Sequence, residues 1–196
     1  MNIIQMNLQF YKGNKKITGT ACSFQAKGAS LFVNFIKQHS WNDARNVGSF
    51  RENAKNPEKS GVVKFTPTEA AGIVDAIDRN TEYTYYHTSK NGNSMGKFCA
   101  YIRDGKQIGY SFNATKESKG DSVNKNSFLI GFSFAEAILV KQFLLRFISE
   151  SFTKIETEKE STDTPDSATD KKPTYNKVQI NQGQSEAEAQ AEELIF

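Results

Sequence analysis

The chain has 196 residues, 37% of them hydrophobic and 12% aromatic, with 15 Phe and 7 Tyr. That gives room for one ordinary domain plus an extension, and the aromatic share suits a strand-rich core or a surface on which bases stack. A net charge of +3 conceals an asymmetry: from Thr153 onward there are 10 acids and 5 bases, so Met1–Phe152 holds 20 bases against 12 acids, a balance of +8 that favours polyanionic partners. Two cysteines (Cys22, Cys99) and two histidines (His39, His87) in no metal-ligand spacing argue against a zinc site.

In chain order, Ile3–Lys12, Ile17–Gln25 and about Ala29–Gln38 read as strands, with Gly13-Asn14 as the turn joining the first two. Leu31–Ile36 is continuously apolar, so a short helix is the alternative there, and the repeat described below tips the reading to strand. The polar span Lys37–Lys59 is expected to be a long loop without regular structure. A strand ending at Phe65 then leads into a helix over Pro67–Arg79. Further strands follow at Thr81–Ser89, Met95–Arg103 and Gln107–Thr115, with Asn91-Gly92 and Asp104-Gly105 supplying turns. Lys116, Lys119 and Lys125 fall in the next loop, before a strand at Leu129–Phe132 and a helix over Phe134–Ser149. In that helix Ala137, Val140, Leu144 and Phe147 keep helical spacing.

The pattern repeats. Val62–Ala70 lines up with Leu129–Ala137 at a constant offset of 67 residues, matching Phe65 to Phe132, Thr66 to Ser133, Glu69 to Glu136 and Ala70 to Ala137. Thr66 and Ser133 each stand three residues before a Glu, the spacing of a helix capping box, and that structural role outweighs a reading of the two glutamates as paired catalytic carboxylates. The expected fold is α+β: a duplicated ββββα unit, residues 1–80 and 81–152, with antiparallel sheets and two packed helices. Residues 153–196 are expected to be a disordered acidic tail, because Lys154–Asp170 holds almost no large apolar side chain to offset the entropy of ordering.

Catalysis finds no support: the histidines have no neighbouring nucleophile, and no nucleotide-binding fingerprint is present. Nucleic-acid binding has better grounds. Lys37–Lys59 interleaves Trp41 and Phe50 with Lys37, Arg45, Arg51, Lys55 and Lys59, so rings can stack on bases while cations track phosphates; alternatively Trp41 and Phe50 pin the loop to the core. A second candidate platform lies on the strands of the second copy. Tyr83 and Tyr85 are assigned to one face of the fifth strand, and Tyr86 and His87 to the other. Lys97, Tyr101, Arg103, Lys106 and Tyr110 extend the platform across the neighbouring strands, while Phe98, Phe112, Phe128 and Phe132 are expected in the core. At the C-terminus, Glu192-Glu193-Leu194-Ile195-Phe196 forms a linear motif suited to a basic-rimmed apolar pocket on a partner; the same acids can also fold back on the basic body, or the tail can be merely solubilising.

Taken together, the duplicated strand–helix unit, Ser40-Trp41-Asn42 with Gly48-Ser49-Phe50, the junctions Phe65–Ala70 and Phe132–Ala137, and Tyr101–Gly109 resemble the Whirly single-stranded DNA-binding proteins. These share their architecture with the transcriptional positive cofactor four, and the phage and virus proteins of that fold are the nearer likeness. The resemblance covers Met1–Phe152 and implies a non-enzymatic protein without a cofactor that coats unpaired strands, with weak sequence preference, in replication, recombination or repair. The tail is similar to those by which replication-type single-stranded DNA-binding proteins recruit other enzymes. It departs from the bacterial form in having a Glu-rich tip, with Ile195 where that form has Pro; the OB fold of those bacterial proteins also fits the duplicated pattern poorly. RNA binding, transcriptional modulation or a protein-interaction scaffold are the competing functions, and open sheet edges with paired helices permit homo-oligomers. The opening MNIIQMNLQF lacks a signal-peptide pattern and no run reaches the length of a membrane span, so a cytoplasmic location is expected, that of the host if the protein is viral.

Overall fold

The computed structural model describes residues 6–90, 92–119 and 125–160, with 153–160 as backbone only. The first copy contributes strands β1 (Asn7–Lys12), β2 (Thr20–Lys27) and β3 (Ser30–Lys37), a small hairpin of β4 (Ser40–Asn42) and β5 (Val47–Ser49), then β6 (Ser60–Phe65) and helix α1 (Pro67–Arg79). The second contributes β7 (Tyr83–Ser89), β8 (Gly92–Arg103), β9 (Lys106–Ser118), β10 (Lys125–Phe132) and helix α2 (Phe134–Glu160). Each copy builds one four-stranded antiparallel sheet, in the orders β1-β2-β3-β6 and β7-β8-β9-β10, and follows it with a helix. Asp104 and Gly105 join β8 to β9 with positive φ of 50° and 73°, the backbone a two-residue hairpin demands of both central residues.

The inner faces of the sheets carry the aromatic core, and the two copies are interlocked through it. Phe10 of β1 lies 5.0 Å edge-on to Phe132 of β10, and Tyr85 of β7 lies 4.9 Å edge-on to Phe65 of β6. The first strand of each copy therefore rests on the last strand of the other. Each helix start is pinned the same way: His87 Nε2 on β7 lies 2.5 Å from Glu69 Oε1, and Lys12 Nζ on β1 lies 2.5 Å from Glu136 Oε1. Both glutamates also close their capping boxes, accepting from the backbone N–H of Thr66 or Ser133 at 2.8 Å. Asn80 ends α1 in the left-handed conformation, as a C-cap residue should.

β3 is the strand that the repeat pointed to, and the helix alternative is not realised. Elsewhere the structure departs from the sequence reading. Gly13 and Asn14 open a loop over 13–19 rather than a tight turn. β9 and β10 run further than expected and take in Lys116 and Lys125. Lys37–Lys59 is not an irregular loop, since it holds the β4–β5 hairpin and a helical turn at Arg51–Asn53. His87 shares a face with Tyr83 and Tyr85, as strict alternation requires, and its ring lies 5.2 Å from that of Tyr85. Finally, α2 continues to Glu160, into the segment read as tail, where Glu and Lys are good helix formers. Residues 161–196 lie outside the described residues.

Candidate nucleic-acid interface

The faces of the two sheets that turn away from the core can be read from strand register. On the first sheet, Tyr11, Ala21, Ile36 and Ser60 form one row across the strands, and Gln9, Ser23, Asn34 and Val62 form the next. These residues floor a groove of about 280 Å³. Its far border is Ala54, on the segment that carries Arg51 and Lys55. Tyr11 stands 62% exposed on this face, its ring 5.8 Å from Phe50 and its hydroxyl donating to Gln9 Oε1 at 2.8 Å. Lys27 and Lys64 extend the face and have no acidic partner among the described residues.

On the second sheet the corresponding rows are Tyr86, Met95, Thr115 and Ser127, then Thr84, Lys97, Asn113 and Leu129. Tyr86 is 62% exposed and Leu129 is 55% exposed. Tyr101 reaches Gly131 of β10, where an added Cβ would sit 3.3 Å from its ring, so glycine leaves room for this close approach. A second groove runs along this edge between Tyr101, Ser111, Leu129 and Gly131 and the loop residues Asn14, Thr18 and Gly19.

Gln38 anchors that loop to the sheet. Gln38 is 5% exposed and accepts from the backbone N–H groups of Asn14 (2.9 Å) and Gly19 (3.2 Å) while donating to the carbonyls of Asn14 (3.0 Å) and Ser40 (2.9 Å). It ties the 13–19 loop to the start of the hairpin. Nothing in the hydrophobic pattern marks this residue, since its role comes from four backbone groups that meet only in the folded chain. Trp41 is half-buried in the same joint, close to Gly13, with its indole N–H enclosed and unpaired among the described residues.

The predicted site residues divide accordingly. Arg45, Arg51, Lys55, Lys97 and Arg103 are exposed, Tyr101 lines a groove, and Lys37 is partly buried with Nζ 5.4 Å from the centre of the Phe128 ring. Lys97 is paired with Glu82 at 3.1 Å. Three aromatic assignments are corrected. Phe50 (6% exposed), Tyr85 (7%) and Tyr110 (6%) are spent on packing and offer no free ring face to a base. Phe50 backs Tyr11, Tyr85 packs on Phe65, and Tyr110 stacks on Phe98 at 5.6 Å while donating its hydroxyl to the Ile77 carbonyl. Burial pushes the Tyr85 phenol well above its ordinary pKa, which keeps this enclosed group neutral. Among the described residues the exposed tyrosines are instead Tyr11 and Tyr86, one residue out of phase with Phe10 and Tyr85. Glu192, Glu193, Leu194, Ile195 and Phe196 lie outside the described residues.

Electrostatically the two caps are alike. Burial tends to raise the carboxyls of Glu69 and Glu136, yet both end below the ordinary glutamate range. For Glu69 the Thr66 N–H and the His87 ring outweigh burial, and for Glu136 the Lys12 ammonium and the Ser133 N–H do so. Among the described residues no three His, Cys, Asp or Glu side chains converge as a metal site would need, and no helix is long and apolar enough to cross a membrane.

No family model matches the sequence, and no curated protein matches it. Solved structures do. The plant transcriptional regulator PBF-2 superposes with a TM-score of 0.60 at 12% identity, covering 84% of this chain and 91% of its own. WHY1 from Arabidopsis thaliana gives 0.57 at 13% identity, covering 86% and 99%. A guide-RNA-binding protein complex bound to a gRNA gives 0.54 at 11% identity, covering 76% and 94%. At such identities the likeness is one of fold, and the fold is Whirly-like: two four-stranded antiparallel sheets, each followed by a helix.

Proposed function

We propose that this protein binds single-stranded nucleic acid, largely without regard to sequence, on the outward faces of its two sheets. It coats unpaired DNA during replication, recombination or repair and is not an enzyme. The observation that carries the reading is the make-up of those faces. Exposed Tyr11 and Tyr86 stand among small hydroxyl and amide side chains, with Arg51, Lys55, Lys64 and Lys97 around them. Rings that stack on any base, flanked by cations that follow phosphates, need an unpaired strand whose bases are free. The solved structures of like fold support a nucleic-acid partner, since one of them is a complex bound to a gRNA, and that same structure makes RNA the second reading.

Anisotropy of a labelled oligothymidylate, of oligouridylate of the same length and of a duplex tests this directly. Tight binding to the first and weak binding to the duplex is expected, with affinity falling with salt at a slope of about −0.7 per phosphate neutralised. Equal binding to duplex, or none to any probe, sinks the proposal, and clear preference for oligouridylate selects the RNA reading. The terminal Glu192–Phe196 segment is proposed to recruit a replication or repair protein; its deletion should leave strand binding intact and abolish recruitment. Phe134, Ile138, Leu145 and Phe152 leave an exposed apolar stripe along α2 that suits association between copies, which sedimentation of the whole protein tests.

A further inference from the structure

Overlaying the two sheets by strand register pairs their outward positions one to one. Tyr11 of β1 corresponds to Tyr86 of β7, because each follows the inward aromatic (Phe10 or Tyr85) that rests on the last strand of the other copy. Asn34 of β3 corresponds to Asn113 of β9, each sitting between the second strand and an exposed aliphatic on the fourth, Val62 (48% exposed) or Leu129 (55%). Ser60 and Ser127 match as well. Four outward positions therefore hold the same chemistry in both copies: a tyrosine, an asparagine, a serine and an exposed branched aliphatic.

Core packing does not explain this, because these side chains point away from the core. The serines are engaged locally, Ser60 Oγ with the Asn56 carbonyl at 2.8 Å and Ser127 Oγ with Thr115 Oγ1 at 3.1 Å, so the tyrosines and asparagines carry the argument. Strand propensity explains the tyrosines and Val62 but not the asparagines, since Asn is disfavoured in strands and both copies place one in the third strand of the sheet. What Asn supplies at that place is an amide: Asn113 offers two donors and an acceptor, and Asn34 offers its carbonyl and the N–H left over from the bond that Nδ2 donates to Ser23 Oγ at 3.3 Å. Directly across the strand pair stands an apolar side chain for the edge of a base, and a ring face for stacking stands one row along on the first strand of the sheet.

We infer that each chain carries two repeat-related binding patches, one per sheet, each taking a short run of unpaired nucleotides. Tyr11 or Tyr86 stacks on one base while Asn34 or Asn113 hydrogen-bonds to a neighbouring one. The inference rests on the single-strand reading above and adds its valency and its residues. Both patches belong to one chain, so a strand long enough to reach both gains from the second contact as an intramolecular one.

The test is titration calorimetry of the whole protein with a short oligothymidylate of about four nucleotides, near the lower end of known site sizes. Two oligonucleotides per chain are expected for the unmodified protein, one for Tyr11→Ala, one for Tyr86→Ala and none for the double variant. Tyr11→Phe and Tyr86→Phe keep the ring and should keep both sites. On a long oligothymidylate each single Ala variant should bind at least about fivefold more weakly, the lower bound for losing one stacked base. Thermal melts of the variants should match the unmodified protein, since both rings are mostly exposed. A stoichiometry of one, or a single Ala variant without effect, overturns the two-patch inference while leaving single-strand binding in place. Absence of any oligonucleotide binding overturns both.

Discussion

Gly61 and Phe128 occupy the same place in the two copies, and they touch: a Cβ added at Gly61 would fall 2.8 Å from Cε2 of Phe128. Tyr11 and Tyr86 also occupy the same place, but on the outward faces of different sheets, where each is 62% exposed. Equivalent positions that contact each other lie beside the axis relating the copies, and two large side chains cannot fill one space there. The pair must differ, and it does, as do Val33 with Phe112 and Phe35 with Ala114 in the same layer. Outward positions feel no such pressure, so the sameness of Tyr11 with Tyr86 and Asn34 with Asn113 calls for another cause. The inward difference reports packing, and the outward identity reports a shared ligand.

The sharpest way to break the inward half of that comparison is to alter its asymmetry. Phe128 is buried and stacked on Phe35 at 5.7 Å, so Phe128→Ala should cost about 3–5 kcal/mol in denaturant unfolding. Gly61→Phe, which makes the two copies alike, should cost about 1–3 kcal/mol by overpacking. Combined, the two should cost clearly less than their sum, because each relieves the defect of the other. Additive costs would mean that the two positions do not share one space.

A smaller effect separates the copies at the ends of their third strands. In the first copy β3 ends at Lys37 and Gln38 anchors the inserted hairpin, while in the second β9 runs on to Ser118 without an insertion. Gln38→Ala leaves backbone groups of Asn14, Gly19 and Ser40 without their partner, and should cost about 1–3 kcal/mol and open the 13–19 loop to proteolysis. An unchanged midpoint and cleavage pattern would show that the hairpin does not depend on this side chain.

These contrasts also explain what could be read from the sequence. The repeat, both capping boxes and the bounds of α1 were legible, because a strand-to-helix junction is a local signal written in adjacent residues. That each copy holds four strands of antiparallel sheet followed from counting strands. The role of each aromatic did not: Phe50 is covered by Tyr11 from a distant strand, and choosing between Tyr85 and Tyr86 depends on which face meets the other copy. A shift of one residue reverses the answer. Gln38 and the pairing of His87 with Glu69 were invisible for the same reason, since both join segments far apart in the chain.

The two caps are the place where the copies agree in structure but not in chemistry, His87 serving one and Lys12 the other. Both glutamates titrate below the ordinary range in the folded protein, so their contribution to stability is complete above about pH 4.3, the unfolded glutamate value. It is lost as pH falls through the lowered folded values. Glu69→Gln and Glu136→Gln should each flatten the acid limb of a stability–pH curve, and unchanged limbs would remove the caps from the acid response.

The smallest expected change in stability tests the outward half of the comparison most directly. Asn34→Thr and Asn113→Thr replace a poor strand former with a good one on solvent-facing strand positions, so each should raise stability by a few tenths of a kcal/mol and no more than about 1. If the asparagines were there for the fold, these substitutions would be neutral or harmful. If they serve a ligand, the variants gain stability and lose affinity for short oligothymidylate at one patch each, because threonine's hydroxyl cannot offer the two donors and the carbonyl of an amide. Stability and binding moving in opposite directions, by the same pattern in both copies, would separate a site retained for recognition from one retained for folding.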